Sequence, residues 1–440
     1  MSKNYHIITY GCQMNEHDSE NIAGMLEALD YSHTPNPEEA DVVVMNTCSV
    51  REHADKRFFG MLGQFKKQKK NNPDFIICIC GCMPQQPHIV EEIRKSFGWV
   101  DIVFGTQTIA EFPNLLMERI RTGKKQFSII ANNEEIPEEK ESKREFKHKA
   151  LVNITYGCNN FCTYCIVPYT RGREKSRSLR AVKQEIINLV NDGVKEVMLL
   201  GQNVNSFRDA DGNNFAALIR ALDEVEGLER IRFMTSHPKD LSDELIACFG
   251  NCSKLCHNIH LPVQSGSDEV LRRMNRHYNR ERYMEIVEKL RATCPDISIS
   301  TDIIVGFPGE TEEDFLDTLS LVREVEYDSA FTFIYSPRVG TPAAKYDDQI
   351  PENIKHDRFD RLVDEVNRCS AKKNSEYLGR VVTVMVDGPS KNDAGAWSGR
   401  TDTFKLVNFT SEEPLTEGQV VSVRITETKT FSLDGKKVDA

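Results

Sequence analysis

Residues 157–165 read Gly-Cys-Asn-Asn-Phe-Cys-Thr-Tyr-Cys, which places Cys158, Cys162 and Cys165 in a C-x3-C-x2-C array within a polar, glycine-led loop. Iron–sulfur clusters normally take four cysteine ligands, so three thiolates predict a four-iron cluster with one iron left open. An open metal position is typical of a catalytic site rather than of a closed structural one. The spacing leaves one alternative, in which the three cysteines hold zinc together with a histidine from elsewhere in the chain.

The cysteine loop follows the first of six strand-like runs that alternate with helical patterns in residues 150–340. The runs are 151–155, 196–200, 230–235, 257–261, 297–304 and 329–335. Repeated strand–helix units predict a barrel or a doubly wound sheet, with active residues just after the strands. Polar or glycine-rich segments do follow the first five runs: the cysteine loop, 201–205, 236–238, 262–266 and 306–310. Five such segments at one rim predict a ligand cavity.

A second set of three cysteines lies near the N-terminus. Three short apolar runs, 5–12, 41–48 and 75–82, are separated by helical stretches and end in Cys12, Cys48 and Cys82. Such alternation predicts an open parallel sheet, and ligands bind beyond the carboxyl ends of its strands. The alternative for each cysteine taken alone is a small buried hydrophobe. We assign that packing role to Cys78 and Cys80, which lie inside the third run, although Cys80 is close to Cys82.

The overall composition predicts a soluble, cytoplasmic protein of two or three domains. The 440 residues contain no apolar run of membrane-spanning length, and the N-terminus lacks the pattern of a signal peptide. The 13 cysteines therefore point to metal binding or catalysis before disulfides.

The formal net charge of −11 excludes a uniformly basic surface but permits local basic patches. One patch comprises Lys66, Lys67, Lys69 and Lys70, and another comprises Arg171, Arg173, Lys175, Arg177 and Arg180. We take Arg171, Arg173, Lys175 and Arg177 as RNA-binding candidates. The alternative for either run is a solvated helix face.

The chain divides at a charged stretch and at a change to all-β character. Residues 1–135 form the predicted N-terminal α/β domain, 136–149 a charged linker, 150–373 the strand–helix repeat, and 374–440 a small β-barrel. In this last part, 381–386, 404–407 and 420–425 read as strands, and 387–389 and 434–435 read as turns. Such barrels often bind oligonucleotides, and the alternative is a packing module.

Three motif sets resemble those of the radical S-adenosylmethionine (SAM) methylthiotransferases, specifically the MiaB type. The first set is Gly-Cys-Gln-Met-Asn at 11–15, Asn-Thr-Cys-Ser-Val-Arg at 46–51 and Gly-Cys-Met-Pro-Gln at 81–85. The second set is the cysteine loop, and the third is the C-terminal β module. The resemblance covers nearly the whole chain and implies an N-terminal methylthiotransferase domain, a central radical-SAM partial (βα)6 barrel and a TRAM domain. The chain departs from the usual pattern at Cys80 and Pro84, neither of which is a ligand position.

The resemblance implies two 4Fe-4S clusters and no further catalytic residues. Cys158, Cys162 and Cys165 would hold the radical-SAM cluster, whose open iron binds SAM. Cys12, Cys48 and Cys82 would hold an auxiliary cluster that supplies sulfur.

The implied reaction installs a methylthio group on carbon 2 of isopentenyladenosine next to the tRNA anticodon. Sister branches act on threonylcarbamoyladenosine in tRNA or on an aspartate of a ribosomal protein. Their first cysteine is followed by Lys-Val-Asn or Pro-Lys-Asn, whereas this chain has Gln-Met-Asn. The implied partners are tRNA, an electron donor such as flavodoxin or ferredoxin, and a sulfur donor, with no membrane.

The rim segments supply the candidate SAM contacts, because amide side chains and turn backbone suit a zwitterion and a ribose. These candidates are Gln202, Asn203, Gln264, Asp302 and Gly306. Arg171 and Arg173 also match phosphate or the SAM carboxylate, and we expect His237 to be a structural rim residue rather than a proton carrier. A competing hypothesis from another class is an iron–sulfur electron-transfer or RNA-binding protein whose clusters are structural.

Overall fold

The computed structural model of the 440-residue chain describes residues 3–49, 52–130, 143–391, 393 and 395–439, with backbone alone at 52–56. The chain forms two compact units. The first comprises Met1–Glu145, Thr155–Phe161 and Cys165–Ser176, and the second comprises Phe146–Ile154, Cys162–Tyr164 and Arg177–Ala440. Residues 136–142 of the predicted linker lie outside the described residues. Of the remainder, Lys143 donates its backbone N–H to the carbonyl of Glu20, and a strand begins at Lys149.

The strands are β1 Lys3–Thr9, β2 Tyr31–His33, β3 Val42–Thr47, β4 Ile76–Gly81, β5 Ile102–Phe104, β6 Gln126–Ser128, β7 Lys149–Asn153, β8 Thr155–Tyr156, β9 Lys175–Ser176, β10 Glu196–Leu200, β11 Arg230–Phe233, β12 Asn258–His260, β13 Ser298–Val305, β14 Ser329–Ile334, β15 Val381–Pro389, β16 Trp397–Thr401, β17 Leu406–Thr410, β18 Val420–Thr428 and β19 Leu433–Val438. The helices are α1 Gln13–Glu27, α2 Glu52–Asn71, α3 Pro87–Ser96, α4 Phe112–Thr122, α5 Val167–Thr170, α6 Leu179–Asn191, α7 Phe215–Asp223, α8 Asp243–Asn251, α9 Asp268–Arg273, α10 Arg280–Thr293, α11 Glu312–Val325 and α12 Glu352–Ser375. None of the described helices is long and apolar enough to cross a membrane.

The first unit is built on a parallel sheet with strand order β2-β1-β3-β4-β5-β6. Every residue of β3 and β4 is buried, as expected for parallel strands covered on both faces. Cys78 and Cys80 belong to one apolar cluster of the sheet, and Ile77 and Ile79 belong to another, so the packing role predicted for both cysteines fits the structure. The carboxyl ends of β1, β3 and β4 are neighbours at one edge, as the sequence predicts.

The second unit contains the strand–helix repeat. Parallel strands run in the order β7-β10-β11 and β12-β13-β14, and a parallel bridge pairs Ile231 in β11 with Leu255, which lies just before β12. The six strands coincide with the six predicted runs to within a few residues. One continuous apolar core lies between these strands and their helices. The predicted partial (βα)6 barrel is therefore confirmed.

The C-terminal part of the second unit is a closed barrel with order β15-β16-β17-β19-β18, which also confirms the prediction. Both predicted turns in it are wrong. Residues 387–389 lie in β15, where the register shifts between Val386 and Gly388, so Gly388 serves a β-bulge. Residues 434–435 lie inside β19, and a Cβ on Gly435 would come within 2.6 Å of the Arg424 carbonyl oxygen. Glycine there permits a close backbone approach rather than a turn.

Arg232 attaches the closed barrel to the amino ends of the parallel strands. Its guanidinium donates to the Glu196 carboxylate at 2.9 Å and to the carbonyls of Thr401 and Asp402 at 2.8 Å each. The side chain of Arg232 is 0% exposed. Burial alone would raise the pKa of Glu196, but Arg232, Lys149 and Arg230 hold that pKa below its usual range. The buried Arg232 guanidinium, paired with Glu196 in the sheet, therefore joins the two parts of this unit through its bonds to the barrel carbonyls.

Candidate cluster and cofactor sites

The N-terminal cysteines occupy the carboxyl edge of the first unit's sheet. Cys12 directly precedes α1 and is exposed, whereas Cys48 and Cys82 follow β3 and β4 and are buried. The loops come together at Gly11, which has φ of 139°, and a Cβ there would lie 2.7 Å from the Cβ of Cys48. Glycine at this position therefore permits the approach of the loops that carry Cys12 and Cys48.

Two buried asparagines brace this edge. The amide of Asn15 donates to the Asn46 side chain at 2.9 Å and to the Thr47 carbonyl at 3.1 Å, and Asn46 donates back to the Asn15 carbonyl at 2.8 Å. The Asn15 amide oxygen also accepts from the Cys12 thiol at 3.4 Å. The sequence motifs contain both residues, but sequence reasoning assigned them no role. Asn15 lies three residues after Cys12, and Asn46 lies two residues before Cys48. This placement of two amide side chains beside cysteines is the sequence pattern that indicates their role.

Arg171 also lies at this edge, in the first unit. Its Nε donates to the Cys82 sulfur at 3.3 Å, and its Nη2 donates to the Asp18 carboxylate at 2.9 Å. Burial raises the pKa of the Cys82 thiol, and the positive charge of Arg171 opposes that rise. Arg171 is only 7% exposed. This environment favours a role at the cysteine site over the phosphate contact proposed from sequence.

The cysteines of the 157–165 loop are distributed over both units. In the first unit, the backbone N–H of Cys158 donates to the Gly172 carbonyl at 3.1 Å. In the second unit, Arg276 donates to the Cys162 sulfur at 3.5 Å and to the Pro262 carbonyl at 2.8 Å. Each three-cysteine set thus has a buried arginine that donates to one sulfur.

The zinc alternative for this loop depends on a histidine from elsewhere in the chain. Zinc would require a histidine with its ligand atom close to the thiolates, because Zn–S bonds measure about 2.3 Å. Among the described residues, the possible metal-ligand atoms of His257, Cys294 and Asp296 lie within 4.8 Å of one another. That group contains no cysteine of the loop. The spacing of the loop remains the argument for an iron–sulfur cluster.

At the rim of the barrel, four buried polar atoms have no hydrogen-bond partner among the described residues. They are Asn203 Oδ1, Ser236 Oγ, His237 Nε2 and Gln264 Oε1. These residues follow β10, β11 and β12 at their carboxyl ends. An unsatisfied buried polar group costs about 1–3 kcal/mol, which a bound polar ligand would recover. Amide oxygens, a hydroxyl and an imidazole N–H suit the amino, ribose and carboxylate groups of SAM, so the residues present fit this ligand.

Gln264 is held in place by its backbone. It adopts a φ of 71°, its N–H donates to the Asp302 carbonyl at 2.8 Å, and its carbonyl accepts from Ile304 at 2.9 Å. A left-handed conformation is strained for a residue with a Cβ, and such strain clusters at ligand sites. Gln264 is therefore the best supported of the SAM candidates.

The other candidates have more varied surroundings. Asn203 donates its amide to Asp240 at 2.7 Å, and Asp302 lies 3.4 Å from the imidazole of His260. The Gly306 N–H donates to Glu310 at 3.0 Å, and a side chain at Gly306 would collide with Lys355. Packing and a φ of 71° thus explain the glycine at 306. Gln202 is partly buried beside Asn203.

His237 combines a structural contact with a free ring nitrogen. Its Nδ1 accepts from the Lys239 backbone N–H at 3.2 Å, so the proton of the neutral ring belongs on Nε2. The ring meets Tyr278 edge to face with centroids 5.6 Å apart. Burial and the nearby charge of Arg276 lower the pKa of His237. The expected structural role is supported at Nδ1, while Nε2 remains a donor that sequence reasoning did not anticipate.

The lowered pKa of His237 predicts a pH dependence of stability. Below about pH 6.5 the unfolded chain binds a proton at this residue that the folded chain does not. As the pH is lowered below this value, the free energy of unfolding should therefore fall by about 1.4 kcal/mol per pH unit for this group. We expect a His237→Gln variant to lose less stability than wild type between about pH 7.5 and about pH 5.5, measured by melting temperature.

The matched control for this measurement is His356→Gln, because His356 is exposed on α12. This control should follow the wild-type pH dependence. Equal pH dependence of wild type and the His237→Gln variant would contradict the prediction.

The remaining basic residues differ in exposure. Arg173 is exposed and lies 4.5 Å from the Phe161 ring, and Lys175 is partly buried in β9. Arg177 is 8% exposed and donates to the Asn153 carbonyl at 2.9 Å. In the lysine run, Lys69 donates to the Asp101 carboxylate. Arg173 and Lys175 are thus better placed for RNA than Arg171 or Arg177.

Comparisons with known proteins agree with this organisation. Residues 4–105 match the Uncharacterized protein family UPF0004, 152–322 the Radical SAM superfamily and 375–438 the TRAM domain. The chain is 53% identical to the tRNA-2-methylthio-N(6)-dimethylallyladenosine synthase of Clostridioides difficile strain 630, over 97% of this chain and 90% of the relative. The chain belongs to this synthase family. The synthase of Clostridium perfringens strain 13 is 54% identical, over 98% of this chain and 97% of the relative. The synthase of Alkaliphilus oremlandii is 53% identical, over 99% of this chain and 93% of the relative.

Two solved structures resemble the fold of this chain. The radical SAM methyltransferase TsrM from Kitasatospora setae, with cobalamin and a 4Fe-4S cluster bound, matches with a TM-score of 0.56 at 13% identity and covers 78% of this chain and 77% of its own. The cobalamin-dependent radical enzyme OxsB matches with a TM-score of 0.52 at 12% identity and covers 83% of this chain and 56% of its own. The resemblance and the fold class predicted from sequence are confirmed.

Proposed function

We propose that this chain is a radical SAM methylthiotransferase that places a methylthio group on carbon 2 of isopentenyladenosine next to the tRNA anticodon. The observation that carries the proposal is the 53–54% identity, over nearly the full length, to relatives named for this reaction. Residues 13–15, Gln-Met-Asn, favour this target over those of the sister branches.

The target atom explains the need for two cysteine sets. Carbon 2 of adenine has an unactivated C–H bond and no leaving group, so the difficult chemistry belongs to cofactors that the protein positions and shields. When bound, the two clusters and SAM supply the radical that breaks this C–H bond and the sulfur and methyl groups that replace the hydrogen. We propose Cys158, Cys162 and Cys165 for the radical-SAM cluster, and Cys12, Cys48 and Cys82 for the auxiliary cluster.

The chain's own residues bind and orient the reactants. Asn203, Ser236, His237 and Gln264 present unpartnered polar atoms, which we propose hold SAM at the rim. Asn15 and Asn46 hold the loops of Cys12 and Cys48 in register.

Binding of tRNA requires local rather than overall positive charge. Arg173, backed by the Phe161 ring, and Lys175 follow the cysteine loop directly, and the TRAM barrel adds a second RNA-binding surface in our proposal. An electron donor such as flavodoxin or ferredoxin and a sulfur donor complete the partners. A tRNA substrate also supports the expected cytoplasmic location.

Nucleoside analysis of tRNA tests the proposed target. In cells that lack this protein and any redundant enzyme, we expect methylthio-isopentenyladenosine to disappear and isopentenyladenosine to accumulate, because the modification that precedes this step is intact. Mass spectrometry of digested tRNA measures both nucleosides, and complementation with the wild-type chain should restore the first.

Two results would contradict the proposal. Methylthio-isopentenyladenosine that persists in the deletion strain would refute the assignment. Loss of the methylthio derivative of threonylcarbamoyladenosine instead would assign the chain to a sister substrate.

A further inference from the structure

Arg171 is buried between a carboxylate and a cysteine of the proposed auxiliary site. Its Nη2 contacts Asp18 at 2.9 Å, and its Nε points to the Cys82 sulfur at 3.3 Å. Burying a guanidinium is costly unless its N–H groups are paired. The Asp18 carboxylate accepts the hydrogen bond from Nη2, and the Cys82 sulfur accepts the hydrogen bond from Nε.

The backbone around Arg171 is fixed by the sheet edge of the same unit. The carbonyls of Thr170 and Arg171 accept from the side chains of Thr106 at 3.1 Å and Gln107 at 2.9 Å, and the Arg171 N–H donates to Val167 at 2.8 Å. These bonds fix the backbone at Arg171, and the bond to Asp18 orients its guanidinium. The N–H contact with Cys82 is therefore preorganised rather than adventitious.

We propose that Arg171 is a positioning residue that raises the reduction potential of the auxiliary cluster through its hydrogen bond to the Cys82 thiolate. The inference rests on the proposed function, which assigns Cys82 as a ligand. Hydrogen bonds to cluster sulfurs and nearby positive charge favour the reduced cluster, which carries one more negative charge. Asp18 has the opposite charge and limits this effect. The two side chains together set the potential.

The experiment uses the full-length chain with Cys158, Cys162 and Cys165 replaced by alanine, so that after anaerobic reconstitution only the auxiliary cluster remains. Its midpoint potential is measured by dithionite titration followed by electron paramagnetic resonance. In this background, we expect Arg171→Met to keep about four irons per chain. It should make the cluster at least tenfold harder to reduce, a shift of about 59 mV for one electron.

The matched control is Arg173→Met, which removes an exposed guanidinium two residues away. We expect this variant to leave the potential unchanged. Asp18→Asn retains Arg171 and removes the opposing charge, so it should shift the potential in the positive direction. Opposite signs for the two substitutions are a result that a purely structural role would not produce.

The outcomes separate this inference from the proposed function. An unchanged potential in Arg171→Met with four irons retained overturns the inference alone. If Arg171→Met loses its iron, Asp18→Asn decides: a positive shift supports the inference and no shift overturns it. A parent chain without any four-iron cluster would overturn both the proposed auxiliary ligands and this inference.

Discussion

Replacing Cys12, Cys48 and Cys82 with alanine should lower the iron content of the reconstituted chain from about eight atoms to about four. Methylthiolation of tRNA should be abolished, while reductive cleavage of SAM persists. The reason is that the two cysteine sets serve different clusters, and the 157–165 loop retains its three thiolates. Iron analysis after anaerobic reconstitution, together with detection of deoxyadenosine, measures both effects.

Cys78→Ala provides the matched control, because Cys78 is buried within β4 in an apolar cluster. This variant should keep about eight irons and its activity, apart from a small loss of stability. Wild-type iron near four per chain, unchanged by the triple substitution, would refute the claim of two clusters. It would favour the hypothesis of a protein with a single structural or electron-transfer cluster.

Sequence reasoning succeeded where the pattern is local and periodic. The six strands β7, β10, β11, β12, β13 and β14 follow apolar runs bounded by polar loops, so their order and their loops could be predicted. The convergence of Cys12, Cys48 and Cys82 on one edge followed from the same reasoning, since each follows a strand of one parallel sheet.

The errors arose where long-range contacts decide the outcome. Gly388 and Gly435 look like turn residues, but a bulge and a close strand approach require glycine at these positions. Arg171 stands in a run of basic residues, and its partners Cys82 and Asp18 lie 89 and 153 residues away in the chain. No local pattern reports such contacts.

The same limit applies to the SAM rim. The amides of Asn203 and Gln264 were candidates because of their residue type, but Ser236 was not singled out. Its hydroxyl becomes a candidate ligand contact because it is buried and has no hydrogen-bond partner among the described residues. A ligand site is revealed by polar atoms that the fold leaves unsatisfied, and that property depends on the packed structure.

Arg232→Met should destabilise the second unit by about 3–5 kcal/mol, because it leaves a buried carboxylate with less compensation. Glu196 loses its 2.9 Å partner, and the carbonyls of Thr401 and Asp402 each lose a donor. Urea unfolding under anaerobic conditions measures the change. Faster proteolysis between α12 and β15 would report loosening of the C-terminal barrel.

A second substitution identifies the cause of this loss. Glu196→Gln added to Arg232→Met removes the uncompensated charge, so the double variant should be less destabilised than the two single effects combined. Lys149 and Arg230 remain 3.5 and 3.8 Å from Glu196, which limits the recovery. Arg368→Met, which removes an exposed partner of Glu365, is the control and should change little. Strict additivity of the Arg232 and Glu196 substitutions would show that the two side chains are not coupled, and it would contradict an uncompensated Glu196 charge as the cause of the loss.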